Sequence, residues 1–241
     1  MDKTADSKFY EEFWADSKYQ LEYAFDSAVR DRFPSIQQLW GSMKTPSRVI
    51  DFGCGNGVLT YWMHCNGFGD EIVGLDVSET GVKFANQRYK TDGLNFSQIK
   101  PGDTPRFDEP FDVLVASHVL EHIEDAGGVL SSLRDTAKWF ILEVPLEDSF
   151  MPNLKPLVTG KARTNNPVGH VHFWNPESFR KVVEDAGYQV IRDRHYASAP
   201  FSPFNAAGKR FVEQVLLKLM PVKIYARLMA THYAVLATPR L

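Results

Sequence analysis

Residues Val49 to Thr60 read VIDFGCGNGVLT. Val49 and Ile50 have the character of a buried strand end. Three glycines follow at alternate positions, Gly53, Gly55 and Gly57, and an apolar helical run begins at Val58. Alternating glycines let the chain turn sharply after a strand and let a ligand lie against the main chain without interference from Cβ atoms. The helix behind them directs its unsatisfied N–H groups into the same space. A nucleoside-type ligand suits such a loop.

Outward from this stretch, strand and helix patterns alternate. Arg48–Asp51, Glu71–Asp76, Leu94–Ile99, Phe111–Ala116 and Trp139–Val144 read as strands, and Tyr188–His195 and His232–Thr238 as the last two. Helical patterns lie between them, including Asn175–Ala186, where Asn175 can cap, Pro176 fits the first helical position and Gly187 stops the helix. Such alternation predicts an α/β fold with a mainly parallel sheet covered on both faces. Residues 1–45 form an N-terminal helical cap in this reading, residues 46–241 the ligand-binding domain, and 42–47 a hinge between them. Phe9, Tyr10, Phe13 and Trp14 fall at helical spacing in the cap, followed by Tyr19, Tyr23 and Phe25. They read either as a stripe packed on the core or as a lid that closes over a ligand. Residues 146–174 read as a long functional loop. Residues 206–229 read as a basic helical insert with an apolar face, suited to packing, homodimerisation or a weak membrane-surface contact.

The composition excludes several classes. A net charge of −3 argues against a protein whose main task is gripping nucleic acid. The two cysteines, Cys54 and Cys65, lack metal-type spacing, and one sits within the glycine loop, which fits a reducing, cytoplasmic setting. No secretory leader and no apolar run of roughly 18 residues is apparent.

Three further features narrow the ligand. Asp76 ends the second strand, 19 residues after Gly57, where a carboxylate can accept both hydroxyls of a ribose. Gly102-Asp103 follows the third strand near the place of an adenine ring, although Asp103 in GDTP also reads as a turn aspartate. FDVLVASHVLEHI, Phe111 to Ile123, runs a buried strand into a short helix beside the same crevice. As a set, these motifs resemble those of the class I S-adenosylmethionine-dependent methyltransferases of small-molecule type, over roughly residues 48–239. The resemblance implies a Rossmann-like seven-stranded, mostly parallel sheet whose last strand is antiparallel. It also implies S-adenosyl-L-methionine across the strand C-termini. Asp51, Gly53, Cys54, Gly55, Asn56 and Gly57 would then face its methionine part, Asp76 and Val77 its ribose, and Asp103 and Thr104 its adenine. Ser117 and His118 would line the floor, and Tyr10 and Trp14 the lid. A nicotinamide dehydrogenase is the rival, but no glycine stands where G-x-G-x-x-G needs its third.

Methyl transfer needs in-line positioning, and a base only if the nucleophile is protonated. His118, His122 and His170 are the candidate catalytic residues, with Glu121 beside them and His172 near His170. Carboxylate and histidine at adjacent helical positions, with a loop histidine, could alternatively hold a divalent cation. The pattern is similar to that of metal-dependent 2′-O-methyltransferases and some ubiquinone-pathway O-methyltransferases. His118 stands where those have glutamate, so no metal ligand is assigned. The expected acceptor is an oxygen, less readily a nitrogen, of a small polar metabolite or sugar. Metal-assisted methylation of RNA ends and a non-catalytic binding scaffold are the alternatives.

Overall fold

The structure, a computed structural model, describes residues 11, 14, 17–160 and 169–240. Phe9, Tyr10 and Phe13 lie outside the described residues, as does the placement of the Tyr19 side chain. In chain order the elements are α1 (Ser17–Ser27), a π-helical turn (Ala28–Arg32), α2 (Phe33–Trp40), β1 (Arg48–Phe52), α3 (Val58–Cys65), β2 (Glu71–Asp76), α4 (Glu79–Tyr89) and β3 (Leu94–Gln98). There follow β4 (Phe111–Ser117), a 3₁₀ turn (Leu120–His122), α5 (Ala126–Leu133), β5 (Ala137–Leu146) and α6 (Phe150–Thr159). The chain ends with α7 (Pro176–Asp185), β6 (Tyr188–Tyr196), α8 (Ala207–Leu219), α9 (Val222–Leu228) and β7 (Thr231–Pro239).

The seven strands form one sheet in the order β3-β2-β1-β4-β5-β7-β6. The first five run parallel, and β7 is antiparallel to both β5 and β6. The expected seven-stranded Rossmann-like sheet is therefore present. Strand order turns between β1 and β4, and an open α/β sheet leaves its ligand crevice at the C-terminal ends of strands at that point.

Successive strand residues alternate between two cores, as the period of two requires. Ile50, Leu114, Leu142 and Val235 face α5 and α7, while Val49, Val113, Val115, Ile141 and Leu236 face α2 and α3. Phe33, Ile36, Leu39 and Trp40 of α2 are built into this second core. Residues 33–40 thus share a core with the sheet, and the stretch 42–47 joins two parts of one packed body. Helix α7 carries the expected Asn175 cap, and the structure adds a full capping box: Ser178 N donates to Asn175 Oδ1 at 2.8 Å, and Asn175 N to Ser178 Oγ at 3.0 Å.

Two expectations need correction. The stretch 146–174 contains helix α6. Pro152 falls in its first turn, where a missing N–H costs nothing, and Asn153 N reaches Ser149 O at 2.9 Å. The segment after β4 is a single 3₁₀ turn, so helical spacing does not set His118 beside Glu121 and His122. His118 precedes the turn at φ 60°, the one non-glycine residue with positive φ among the described residues. Strain of this kind concentrates at functional sites.

Candidate functional site

The glycine loop is shaped by its neighbours as much as by any ligand. Gly53, Gly55 and Gly57 all have positive φ, at 77°, 55° and 78°. A Cβ on Gly53 would collide with Val119 and one on Gly55 with the Trp14 ring. On Gly57 it would stand 2.7 Å from Ala85 Cβ and Phe96 Cε1. Gly57→Ala should therefore cost about 2 kcal/mol, from left-handed strain and overpacking together. Urea unfolding checks this, and a change near zero would mean that the loop is less constrained.

The loop is pinned to β2. Gly53 N and Cys54 N donate to Leu75 O at 2.7 and 3.0 Å. Gly55 N donates to Asp76 Oδ2 at 2.7 Å, and Ser78 N to Asp76 Oδ1 at 2.8 Å. Burial raises the Asp76 carboxyl pKa, and these backbone bonds work against the rise. Ser78, not Asp76, caps α4, accepting from Gly81 N at 3.1 Å. Since a carboxylate has about four lone-pair positions, Asp76 keeps capacity for further donors.

A cavity of about 1020 Å³ lies over the strand C-termini. Of the residues named from the sequence, Gly53, Cys54, Gly55, Asn56, Asp76, Val77, Asp103, Thr104, Ser117, His118, His122, His170 and Trp14 line it. Asp51 and Gly57 do not. Asp51 is buried beneath the loop, where Thr60 Oγ1 donates to its Oδ2 at 2.6 Å, and burial raises its pKa to about 6. Burial likewise holds the Cys54 thiol well above its usual range, so it is an inert wall group. Asp103 sits in a turn, its N–H donating to Lys100 O at 3.0 Å, while also forming cavity wall. Glu11 accepts from Glu79 N at 2.6 Å and Thr80 N at 2.9 Å, at the start of α4.

Beyond the loop, the cavity floor is a buried network that begins at the π-helical turn. Such turns recur at functional sites, and this one delivers Arg32. Its Nε and a terminal nitrogen donate to Ser117 Oγ and Ser117 O at 2.8 and 2.6 Å. Ser117 Oγ donates to Glu143 Oε1 at 2.8 Å, as does Tyr196 Oη, also at 2.8 Å. His118 stands between two carboxylates, with Nε2 3.3 Å from Glu143 Oε1 and Nδ1 3.3 Å from Glu121 Oε1. Burial disfavours its charged form, yet the two carboxylates outweigh burial and raise its pKa to about 9. Despite its own burial, Glu143 is drawn down to about 2, chiefly by His118. A group held so is not a ready proton acceptor at neutral pH. The residue is an imidazolium at neutral pH, a donor and a positive charge.

His122 and His170 differ from it. Burial lowers the pKa of His122 and keeps it neutral, although Glu121 opposes this. His122 Nδ1 donates to Gly169 O at 3.4 Å, and His170 Nδ1 to Glu147 Oε2 at 2.7 Å. With Nδ1 so engaged, Nε2 is the nitrogen through which each ring could ligate or accept a proton. Glu121 is fully buried, and neither of its oxygens accepts a well-formed hydrogen bond among the described residues. Its backbone carbonyl brings in His170, because Val171 N and His172 N both donate to it, at 2.8 and 3.1 Å. One donor atom each from Glu121, His122 and His170 falls within 4.8 Å of the others. This donor set fits a divalent cation that accepts nitrogen and oxygen ligands. His172 stays out of the cavity wall. Its Nε2 donates to Ile123 O and Glu124 O, and its ring stacks on Trp174.

Arg32, Glu143, Glu147 and Tyr196 were not found from the sequence. For Glu143 a signal existed: a lone carboxylate inside WFILEVPL, the apolar run of a central strand, must have a buried partner.

The sequence matches the family described as a methyltransferase domain over residues 20–193. An uncharacterized methyltransferase of Schizosaccharomyces pombe is 25% identical over 174 residues, 65% of this chain and 57% of the relative. A ubiquinone biosynthesis O-methyltransferase of Histophilus somni is 30% identical over 114 residues, 44% of this chain and 47% of the relative. The aligned part thus spans about half the length of the curated relatives it matches. A SAM-dependent methyltransferase structure from Archaeoglobus fulgidus superposes with a TM-score of 0.57 at 17% identity. That superposition covers 91% of this chain and 97% of the other, and supports the fold alone.

Proposed function

The chain belongs to the methyltransferase domain family, and from that premise we propose that it is a class I S-adenosylmethionine-dependent methyltransferase acting on an oxygen of a small polar acceptor. One observation carries the reading. A single cavity runs from the glycine loop, Asp76 and Asp103 to the cluster of His118, Glu121, His122 and His170. The cofactor fits the first part, where residues 53–56 line the wall beside the buried Asp76 carboxylate, which keeps capacity for further donors. Asp76 and Val77 would hold its ribose, Asp103 and Thr104 its adenine, and residues 53–56 its methionine part, with Trp14 lying over the loop. Bound there, the cofactor supplies a methyl group on a sulfonium.

The chain's own groups do the rest. Neutral His122 accepts the proton of an acceptor hydroxyl at Nε2. His118, with both ring N–H groups turned to Glu121 and Glu143, acts on the acceptor end of the cavity through its positive charge. Oxygen is favoured over nitrogen by the relatives named O-methyltransferases, and a base at His122 suits a hydroxyl acceptor. The test is incubation of the full chain with cofactor carrying a tritiated methyl and the low-molecular-weight fraction of a cell extract. Label should appear in a non-amine small molecule. Label only in RNA, or none, contradicts the proposal.

The donor set of Glu121, His122 and His170 supports a second reading, in which a divalent cation binds there and holds the acceptor oxygen. On this reading Zn²⁺ or Mn²⁺ titrated into chelator-treated protein binds one site, His170→Ala loses it, and chelation abolishes methyl transfer. Methyl transfer unaffected by chelation leaves the histidine as base.

A further inference from the structure

Helix α8 leaves one apolar face uncovered by the described residues. Phe211, Val212, Val215 and Leu219 share one face by their spacing, and that face points to solvent, with Phe211 68% and Leu219 76% exposed. The side turned to the protein carries half-buried Leu216, Leu217 and Met220 together with Glu213, only 3% exposed, and Gln214, whose Nε2 donates to Pro200 O at 2.8 Å. Ile224 on α9 and Phe201 ahead of α8 add to the exposed apolar surface, each 52% exposed.

The segment's own charge is nearly all of one sign, although Lys223 and Arg227 also share a groove with Asp148, Glu177 and Asp193. The chain as a whole is net −3, yet residues 199–230 contain five basic residues, Lys209, Arg210, Lys218, Lys223 and Arg227, and one acid, the buried Glu213. Lys209, Lys218, Lys223 and Arg227 are exposed. Large aliphatic and aromatic side chains amid exposed lysines and arginine suit an interface that is oily within and anionic at its edge. No helix among the described residues is long and apolar enough to cross a membrane, so the contact is with a surface. Ala199 and Ala230, at the two ends of the segment, line the main cavity.

From the exposed apolar face and the basic segment that carries it, we infer that α8 and α9 form a docking surface for an anionic lipid bilayer, with Phe211 and Leu219 inserted among the acyl chains and Lys218 and Lys223 against the headgroups. This does not rest on the methyl-transfer reading, because its measurement is binding to vesicles.

The test is co-sedimentation of the full chain with vesicles of phosphatidylcholine containing about one third phosphatidylglycerol, against vesicles of phosphatidylcholine alone. Wild-type protein should bind the anionic vesicles. Phe211→Ser with Leu219→Ser should bind at least about tenfold more weakly, with its thermal unfolding unchanged because both side chains are exposed. Lys218→Glu with Lys223→Glu should erase the preference for anionic vesicles. Wild-type protein that stays in the supernatant overturns the inference, and so does undiminished binding by the serine pair. A wild-type dimer that the serine pair converts to monomer would assign the face to a second copy of the chain, which also overturns it.

Discussion

Glu143→Ala is expected to destabilise the protein by about 3–5 kcal/mol, the cost of removing one member of a buried charge network. Glu143 is 1% exposed and accepts from Ser117 Oγ and Tyr196 Oη while facing His118 Nε2 at 3.3 Å. Without it, the His118 imidazolium keeps Glu121 as its remaining close carboxylate, the Arg32 guanidinium loses a neighbouring negative charge, and Tyr196 loses its acceptor. Denaturant unfolding measures the cost. Glu143→Gln keeps the hydrogen-bonding shape, so it should lose less stability. It should also lower the His118 pKa from about 9, which the imidazole proton resonances report. A loss below about 1 kcal/mol for the alanine variant would mean the network contributes no more than an exposed ion pair does.

Asp76→Ala is expected to weaken S-adenosylhomocysteine binding by about 100-fold or more. Two charge-assisted hydrogen bonds to ribose hydroxyls, at about 1.5–3 kcal/mol each, would be lost. Gly55 N and Ser78 N would also lose their acceptor, loosening the loop that forms the cavity wall. Calorimetric titration of the variant checks this, and affinity within a few-fold of wild type would remove Asp76 from the ribose role.

The parts of this molecule that depend on local chemistry were legible in the sequence. The glycine loop, the strand ending at Asp76 and the Asn175 box each satisfy a requirement of their own backbone, so a few adjacent residues carry the information. The overlooked parts depend on distant partners. Arg32 gains meaning only from Ser117, 85 positions away, and it reaches Ser117 from a π-helical turn with no sequence marker. Loop docking on the Glu121 carbonyl separates the roles of His170 and His172, although both stand in the same motif. Spacing suggested that His118, Glu121 and His122 meet on a helix. They meet because His118 takes a left-handed conformation, and that position between two carboxylates turns an expected base into a cation. The amphipathic pattern of α8 was visible, whereas the direction it faces depends on what packs beneath it.

The central claim is that the cavity over the strand C-termini is an S-adenosylmethionine site. Titration of the wild-type chain with S-adenosylhomocysteine, with NADH in a parallel cell, tests it most directly. One site of micromolar affinity for S-adenosylhomocysteine and no heat from NADH is the result the structure leads us to expect. No S-adenosylhomocysteine binding, or binding of NADH in its place, would contradict it.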